Sequence, residues 1–158
     1  MLLYLVQHAE AKREEEDPVR GLTEKGLQDI RKVSASVSNL NIKISKIFHS
    51  GKTRALQTAE VLAEYLKPEK GLFETDGLAP LDEPEIWAER ISTLDEDLVL
   101  VGHLPHLGRL ASLLLCGDKE KNVIDFKMGG VVCLKRPEDN RWSVEWMILP
   151  VYNIWKGG

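Results

Sequence analysis

Three stretches of this chain end alike. "LLYLVQHAEA" (residues 2–11) runs from apolar residues into Gln7-His8, "SKIFHSGKTR" (45–54) leads to Arg54, and "DLVLVGH" (97–103) ends on His103. A neutral imidazole is a good nucleophile near pH 7, and an arginine is a permanent cation. Together they suit attack on an anionic group such as a phosphoryl. One histidine at a strand end reads as a core residue bonded to backbone. Three reactive or basic groups at coincident strand ends read as a site, because ligands of open α/β sheets bind where the carboxyl ends of parallel strands gather. Arg54 falls in the first turn of a helix, and His103 immediately precedes another. A helix N-terminus already favours an anion, so a cation placed there points to an anionic ligand. Glu60 is no helical partner for Arg54, since six positions apart is not a neighbour spacing.

The elements that must position these groups are legible from hydrophobic periodicity. Residues 2–7 and 97–103 are apolar on both faces, as central parallel strands covered by helices are. Residues 45–50 form a second short strand, and 72–75 a weak one. Thr23 is a plausible N-cap for a helix over 24–38, with Leu27, Ile30, Val33 and Val37 on its buried face. Ala55, Leu56, Ala59, Leu62, Ala63 and Leu66 mark a helix over 52–66 that stops before Pro68. A short helix lies near 84–93. Pro105 opens a further helix, buried through Leu107, Leu110, Ala111, Leu114 and Leu115. "GGVVCLKR" and "RWSVEWMIL" flank "PEDN" as an antiparallel hairpin at the sheet edge. Trp142, Val144, Trp146 and Ile148 alternate there with Ser143, Glu145 and Met147, and the Trp pair reads as core. The expected architecture is a three-layer α/β domain spanning 1–158.

Composition narrows the classes. The chain has 158 residues, 43% hydrophobic and 29% charged, enough for one core and too short for two comfortable domains. A formal net charge of −4 argues against a nucleic-acid surface, which needs a basic face. No apolar run approaches the ~20 residues of a membrane span. The N-terminus has no basic region ahead of its apolar run, which predicts no signal peptide. Cys116 and Cys133 sit in apolar surroundings without metal-site company, and read as reduced core residues of a cytoplasmic protein. No Asp/Glu/His cluster has Mg²⁺- or Zn²⁺-site spacing, so no metal and no cofactor are expected.

Taken in order and spacing, "LYLVQHAEA", "RGLTEKG", "SGKTRALQTAEVL" and "VGHLPHLGRLASLL" resemble the signatures of the histidine phosphatase superfamily, a phosphoglycerate mutase-like group, and most closely its small SixA-type phosphohistidine phosphatase branch. The resemblance covers almost the entire chain. It implies an α/β/α sandwich with a mixed, mostly parallel sheet and a phosphoryl-transfer site at the sheet's C-terminal edge. By position, His8 would be the nucleophile that is transiently phosphorylated, and Arg54 and His103 would bind the phosphoryl oxygens. The family usually has Arg-His-Gly where this chain has Gln7-His8-Ala9, and Ser-Pro where it has Ser50-Gly51. Gln7 removes a full positive charge from the phosphate pocket but leaves an amide donor. Arg20, in "VRGLTEKG", is a second substrate-binding candidate that would restore some charge.

Phosphoryl transfer needs in-line positioning and neutralisation of the equatorial oxygens, which cationic side chains and helix N-termini provide without a metal. Nearby Arg54 and His103 are expected to hold His8 neutral. The general acid is open among Asp82, Glu83, Glu85, Glu10 and His103. His49 and His106 read as structural or peripheral, and "REEED" as a solvated flap. The chain has no room for a helical cap over a small substrate. An open site suits phosphohistidine on a phosphotransfer or phosphocarrier protein, in signal transduction, with the chain itself a monomer. A small-molecule phosphomonoesterase and a non-catalytic phosphate- or phosphoprotein-binding module are the alternatives.

Overall fold

The computed structural model describes residues 1–150; the last eight residues of the expected 1–158 unit lie outside the described residues. Its elements run β1 (Leu2–Gln7), α1 (Glu24–Ser38), β2 (Lys46–His49), α2 (Thr53–Leu66), β3 (Gly71–Glu74), α3 (Pro84–Ser92), β4 (Leu98–Gly102), α4 (His106–Cys116), β5 (Val131–Lys135) and β6 (Ser143–Ile148). Among the described residues the strands form one sheet in the order β3-β2-β4-β1-β5-β6. The first four are parallel, and β5 and β6 are antiparallel. This is the mixed α/β/α sandwich expected.

The two central strands are apolar on both faces because both faces are covered. Tyr4 and Val6 of β1, with Val99 and Val101 of β4, pack against Ile30, Val33 and Val37 of α1 and Ala55, Ala59 and Leu62 of α2. Leu3, Leu5, Leu98 and Leu100 face the other way, onto Trp87 and Ile91 of α3 and Leu107, Leu110 and Ala111 of α4. The chain therefore leaves β1 toward one face and β4 toward the other although the two strands are paired neighbours. That is the switch point at which an open α/β sheet forms a crevice beyond its strand ends.

The helices start where local chemistry allows. The Thr23 side chain accepts from Gly26 N at 3.0 Å and caps α1. Thr23 also ties the helix to the segment after β1. Its N–H donates to the Glu10 carbonyl at 3.0 Å and its hydroxyl to the Glu10 carboxylate at 2.7 Å. Helix α1 approaches that segment so closely that a Cβ on Gly26 would stand 2.2 Å from the Glu10 carbonyl oxygen. Only glycine fits. Pro105 occupies the N-cap of α4 rather than its first helical position, and α4 ends on Gly117 at φ 73°.

The C-terminal hairpin departs from strict alternation. Cys133 pairs with Trp146 but Leu134 pairs with Val144, so Glu145 is an extra residue, a β-bulge. The bulge turns the two tryptophans to opposite faces. Trp146 packs on Tyr4 at 5.7 Å between centroids, whereas Trp142 joins the α3/α4 side beneath the Arg136 guanidinium. Val144, expected on the buried face, is 43% exposed. Cys116 is likewise exposed, at the end of α4, and only Cys133 is a core residue.

The Gly26 contact generates a test. Gly26→Ala forces α1 away from Glu10, and overpacking of this kind costs about 1–3 kcal/mol. The urea midpoint is expected to fall with the slope unchanged; an unaltered midpoint would show that α1 can move freely.

Candidate active site

The β1–β4 ladder pairs Gln7 with Gly102 and extends one bond further, with His8 N donating to the Gly102 carbonyl at 3.0 Å. That bond sets His8 beside His103, with ring centroids 5.2 Å apart. The ring of His8 is itself fixed. Its Nδ1 lies 2.7 Å from the Ala9 carbonyl oxygen, which can only accept, so Nδ1 carries the proton and Nε2 keeps its lone pair. Burial pushes the His8 pKa down to about 4, and Arg54 and Arg20 act in the same direction against the Ala9 bond. Burial thus leads where neighbouring charge from Arg54 and His103 was expected to. The outcome is the same: an uncharged imidazole at neutral pH.

His103 is 2% exposed, and burial, then His8, Arg54, Lys52 and His106, lowers its pKa to about 3. Its Nε2 lies 2.6 Å from Ser50 Oγ at the end of β2. Arg54 is in the first turn of α2, and its Nε is buried without a partner among the described residues. Neither α2 nor α4 has a side-chain N-cap, so first-turn N–H groups of both helices face the same edge. The structure brings His8, Arg54 and His103 together as the strand ends required.

Two residues of this arrangement escaped the sequence reading. The Thr58 hydroxyl donates to the Arg54 carbonyl at 2.7 Å and accepts from Ala9 N at 3.0 Å, and Thr58 is fully buried. It fastens the segment carrying His8 to the first turn carrying Arg54. The available signal was a polar residue three after Ala55 and four before Leu62, on the buried stripe of α2. Ser50 was noted only in the Ser50-Gly51 departure from the family's Ser-Pro, with no partner implied.

Arg20 adopts φ 52°, and its Nε donates to the Lys12 carbonyl at 3.1 Å. Its charge acts on both His8 and Arg54, which places it at the rim of the same site. The loop that carries it is charged and exposed, as expected for a flap, yet tied down. Lys12 N donates to the Gly21 carbonyl, Gly21 N to Asp17, and Leu22 N to Gln57 Oε1 on α2 at 2.7 Å. Gln7 is half-buried; its backbone carbonyl accepts from Gly129 N, and its Oε1 is buried without a partner among the described residues.

The candidate acids separate by what holds them. Glu10 accepts from Thr23, and Glu83 and Glu85 are both ion-paired to Lys119. Asp82 accepts from Ala79 N at 3.0 Å and acts electrostatically on His106. His49 accepts from Gly51 N at 3.0 Å, a structural bond. Among the described residues no cluster of three His, Cys, Asp or Glu side chains is placed to hold a metal ion.

Burial of His8, His103 and His106 makes stability acid-sensitive in a stated direction. Each takes a proton near pH 6.5 when unfolded, but only near pH 4, 3 and 4 respectively when folded. The unfolded state therefore binds more protons between these limits, and stability falls as pH drops through that window. Unfolding midpoints measured from pH 8 to 4 should begin to decline near pH 6.5, above the carboxylate range. A flat profile down to pH 5 would contradict the buried, neutral imidazoles.

Comparison with known proteins places the chain in a family and agrees with its fold. Residues 3–82 match the family model of the histidine phosphatase superfamily (branch 1). An uncharacterised protein of Picosynechococcus sp. is 35% identical over 143 residues, covering 85% of each chain. The protein histidine phosphatase SixA, solved with tungstate, shares the fold with a TM-score of 0.83 at 21% identity, over 95% of this chain and 97% of that one. The alpha-ribazole phosphatase from Shigella flexneri does so with a TM-score of 0.76 at 13% identity, over 96% of each. No helix among the described residues is long and apolar enough to cross a membrane. The chain belongs to the histidine phosphatase superfamily.

Proposed function

We propose that this chain is a phosphatase that works through a phosphohistidine on His8 and takes its phosphoryl group from phosphohistidine on another protein. The observation that carries the first half is the His8–Ala9 bond. With Nδ1 holding its proton at 2.7 Å from a carbonyl, the Nε2 lone pair is free to attack phosphorus. Arg54, Arg20 and the open helix N-termini neutralise the equatorial oxygens, and His103 completes the cradle. After transfer, water attacks the phosphohistidine and releases phosphate. No resident metal or cofactor is part of this scheme.

The substrate half rests on three features. The site lies at an open sheet edge with only short connections after β3 and β4, which suits a phosphorylated side chain presented by a partner. The fold of the protein histidine phosphatase SixA matches over almost the whole chain. Gln7 supplies an amide in place of a cation, which suits the labile P–N bond better than the more demanding P–O bond of an ester. The match to an alpha-ribazole phosphatase keeps a small-molecule phosphomonoester as the second reading. We place the chain in the cytoplasm, acting as a monomer.

Brief exposure to labelled phosphoramidate, quenched without acid, should leave an acid-labile, base-stable phosphoryl group on His8, and His8→Ala should lose it. Label on a serine or a carboxylate would overturn the mechanism. Removing one preorganised donor at such a centre costs about 10²–10³ in rate, the loss expected for Arg54→Ala with folding intact.

The role of Gln7 is read by one variant. A charge-assisted hydrogen bond is about twice as strong as a neutral one. Gln7→Arg should therefore tighten phosphate binding and raise turnover of phosphomonoesters more than that of a phosphohistidine protein. A lower melting temperature with no gain in phosphate affinity would reject Gln7 as a selectivity device.

A further inference from the structure

Neighbouring strands β1, β4 and β2 each place the first residue beyond them at one edge: His8, His103 and Ser50. His8 and His103 have roles in the scheme above, and Ser50 has none. The sheet itself sets Ser50 in position. The β2–β4 ladder pairs His49 with Val101, so Ser50 and His103 leave adjacent strand ends. The turn carrying Ser50 is also held from its other side. Gly51 N donates to His49 Nδ1 at 3.0 Å, and Thr75 N donates to the His49 carbonyl at 2.9 Å.

His103 has no free polar atom to offer a ligand directly. It is 2% exposed, its Nδ1 is buried without a partner among the described residues, and its Nε2 lies 2.6 Å from Ser50 Oγ. Ser50 is half-buried, the more exposed member of the pair. Burial keeps the imidazole uncharged at neutral pH, so it carries one ring proton. If Ser50 donated to Nε2, that proton would sit on Nδ1 as a buried donor with no acceptor. If Nε2 donates to Ser50, Nδ1 keeps only an unused lone pair. Orphaned buried N–H groups are the rarer defect, so the proton belongs on Nε2. Ser50 Oγ then accepts from His103 Nε2 and, more weakly at 3.4 Å, from Lys52 N at the start of α2. Both lone pairs of the hydroxyl are used, and its own proton is the group left to place.

We infer that Ser50 is a substrate-contacting residue whose hydroxyl donates a hydrogen bond to a phosphoryl oxygen, and that His103 acts on the substrate through it. The inference rests on the reading of this edge as a phosphoryl-transfer site. No proton changes hands in this contact: Nε2 keeps its hydrogen and so does Ser50. A hydroxyl that accepts hydrogen bonds is polarised into a better donor. Growing negative charge on the phosphoryl oxygens is met by that O–H together with Arg54 and the open first turn of α2. An imidazolium is not needed for this task, because the ring only holds the serine oxygen so that its hydrogen points outward. Burial of His103, which keeps it neutral, therefore suits its role.

Removing one preorganised donor at such a centre costs about 10²–10³ in rate. Ser50→Ala should therefore lower kcat/KM for phosphoramidate by about 10² or more, and Ser50→Thr, which keeps the hydroxyl, should recover most of the loss. Because the two side chains act as one donor, combining Ser50→Ala with His103→Ala should lose little beyond the worse single variant. Inorganic phosphate reads the contact without turnover. Its Kd should rise about tenfold or more in Ser50→Ala, the worth of a hydrogen bond to a charged group. Turnover and phosphate affinity of Ser50→Ala close to wild type would overturn the proposal, as would losses that multiply in the double variant. If Ser50→Ala does not fold, the wild-type protein decides. Long-range proton–nitrogen NMR spectra should show His103 protonated at Nε2 with and without phosphate. A proton on Nδ1 would overturn the proposal, since Ser50 would then be donating to the ring. Trapping of the phosphoryl group on wild-type His8 reads the nucleophile separately. Failed trapping beside weakened phosphate binding in Ser50→Ala would reject the covalent mechanism and leave the Ser50 contact standing.

Discussion

The site depends on one backbone hydrogen bond, the donation from His8 N to the Gly102 carbonyl that carries the β1–β4 ladder one step beyond its strands. A parallel ladder fixes register, and a one-residue slip turns every side chain to the opposite face. Because Tyr4, Val6, Val99 and Val101 face one helical layer and Leu3, Leu5, Leu98 and Leu100 the other, a slip would trade side chains between the two cores and mispack both. The register that buries these eight residues is also the one that sets His8 against His103. Core packing and site geometry are enforced by the same pairing, so the site needs no separate scaffold.

Around that fixed pair, small polar residues set the remaining distances. Thr58 spans Ala9 and Arg54 with one hydroxyl, Thr23 spans Glu10 and the first turn of α1, and Gln57 holds the loop that carries Arg20. Each satisfies backbone groups that a chain leaving a sheet would otherwise strand. Each also removes freedom from a segment bearing one of the cationic or nucleophilic groups.

What the sequence made legible follows from how each feature is encoded. The strands and helices are written in periodicity, because each must bury a face, and their positions hold within a residue or two. The coincidence of His8, Arg54 and His103 is encoded by strand ends alone, since a parallel topology leaves them no other edge to share. The hairpin was misread at Val144, and Trp142 packs on the opposite core from Trp146, because a bulge at Glu145 resets alternation and a single extra residue leaves no compositional trace. Cys116 was misplaced because the apolar run "LASLLLC" outlasts the buried part of α4. Thr58 and Ser50 were missed for a different reason. A hydroxyl's partners are set by tertiary contact, and the sequence shows only that the residue is small and polar.

The energetics of the edge bear on what it does. Among the described residues, seven buried side-chain atoms lack a hydrogen-bond partner, and five of them belong to Gln7, Arg54, His103 and His106. A core distributes such defects or excludes them, because each costs stability that the fold has little of. Their concentration at the carboxyl ends of β1, β2 and β4 means that the chain bears this cost in one place. Arg54 Nε is a donor, Gln7 Oε1 is an acceptor, and each uncharged imidazole has one nitrogen of each kind. A phosphate dianion offers acceptors only and would satisfy the arginine. The unpartnered Arg54 donor and His103 nitrogen lie where the proposed phosphoryl transfer would occur, and the buried His8 and His103 tie the acid sensitivity of the fold to the same residues.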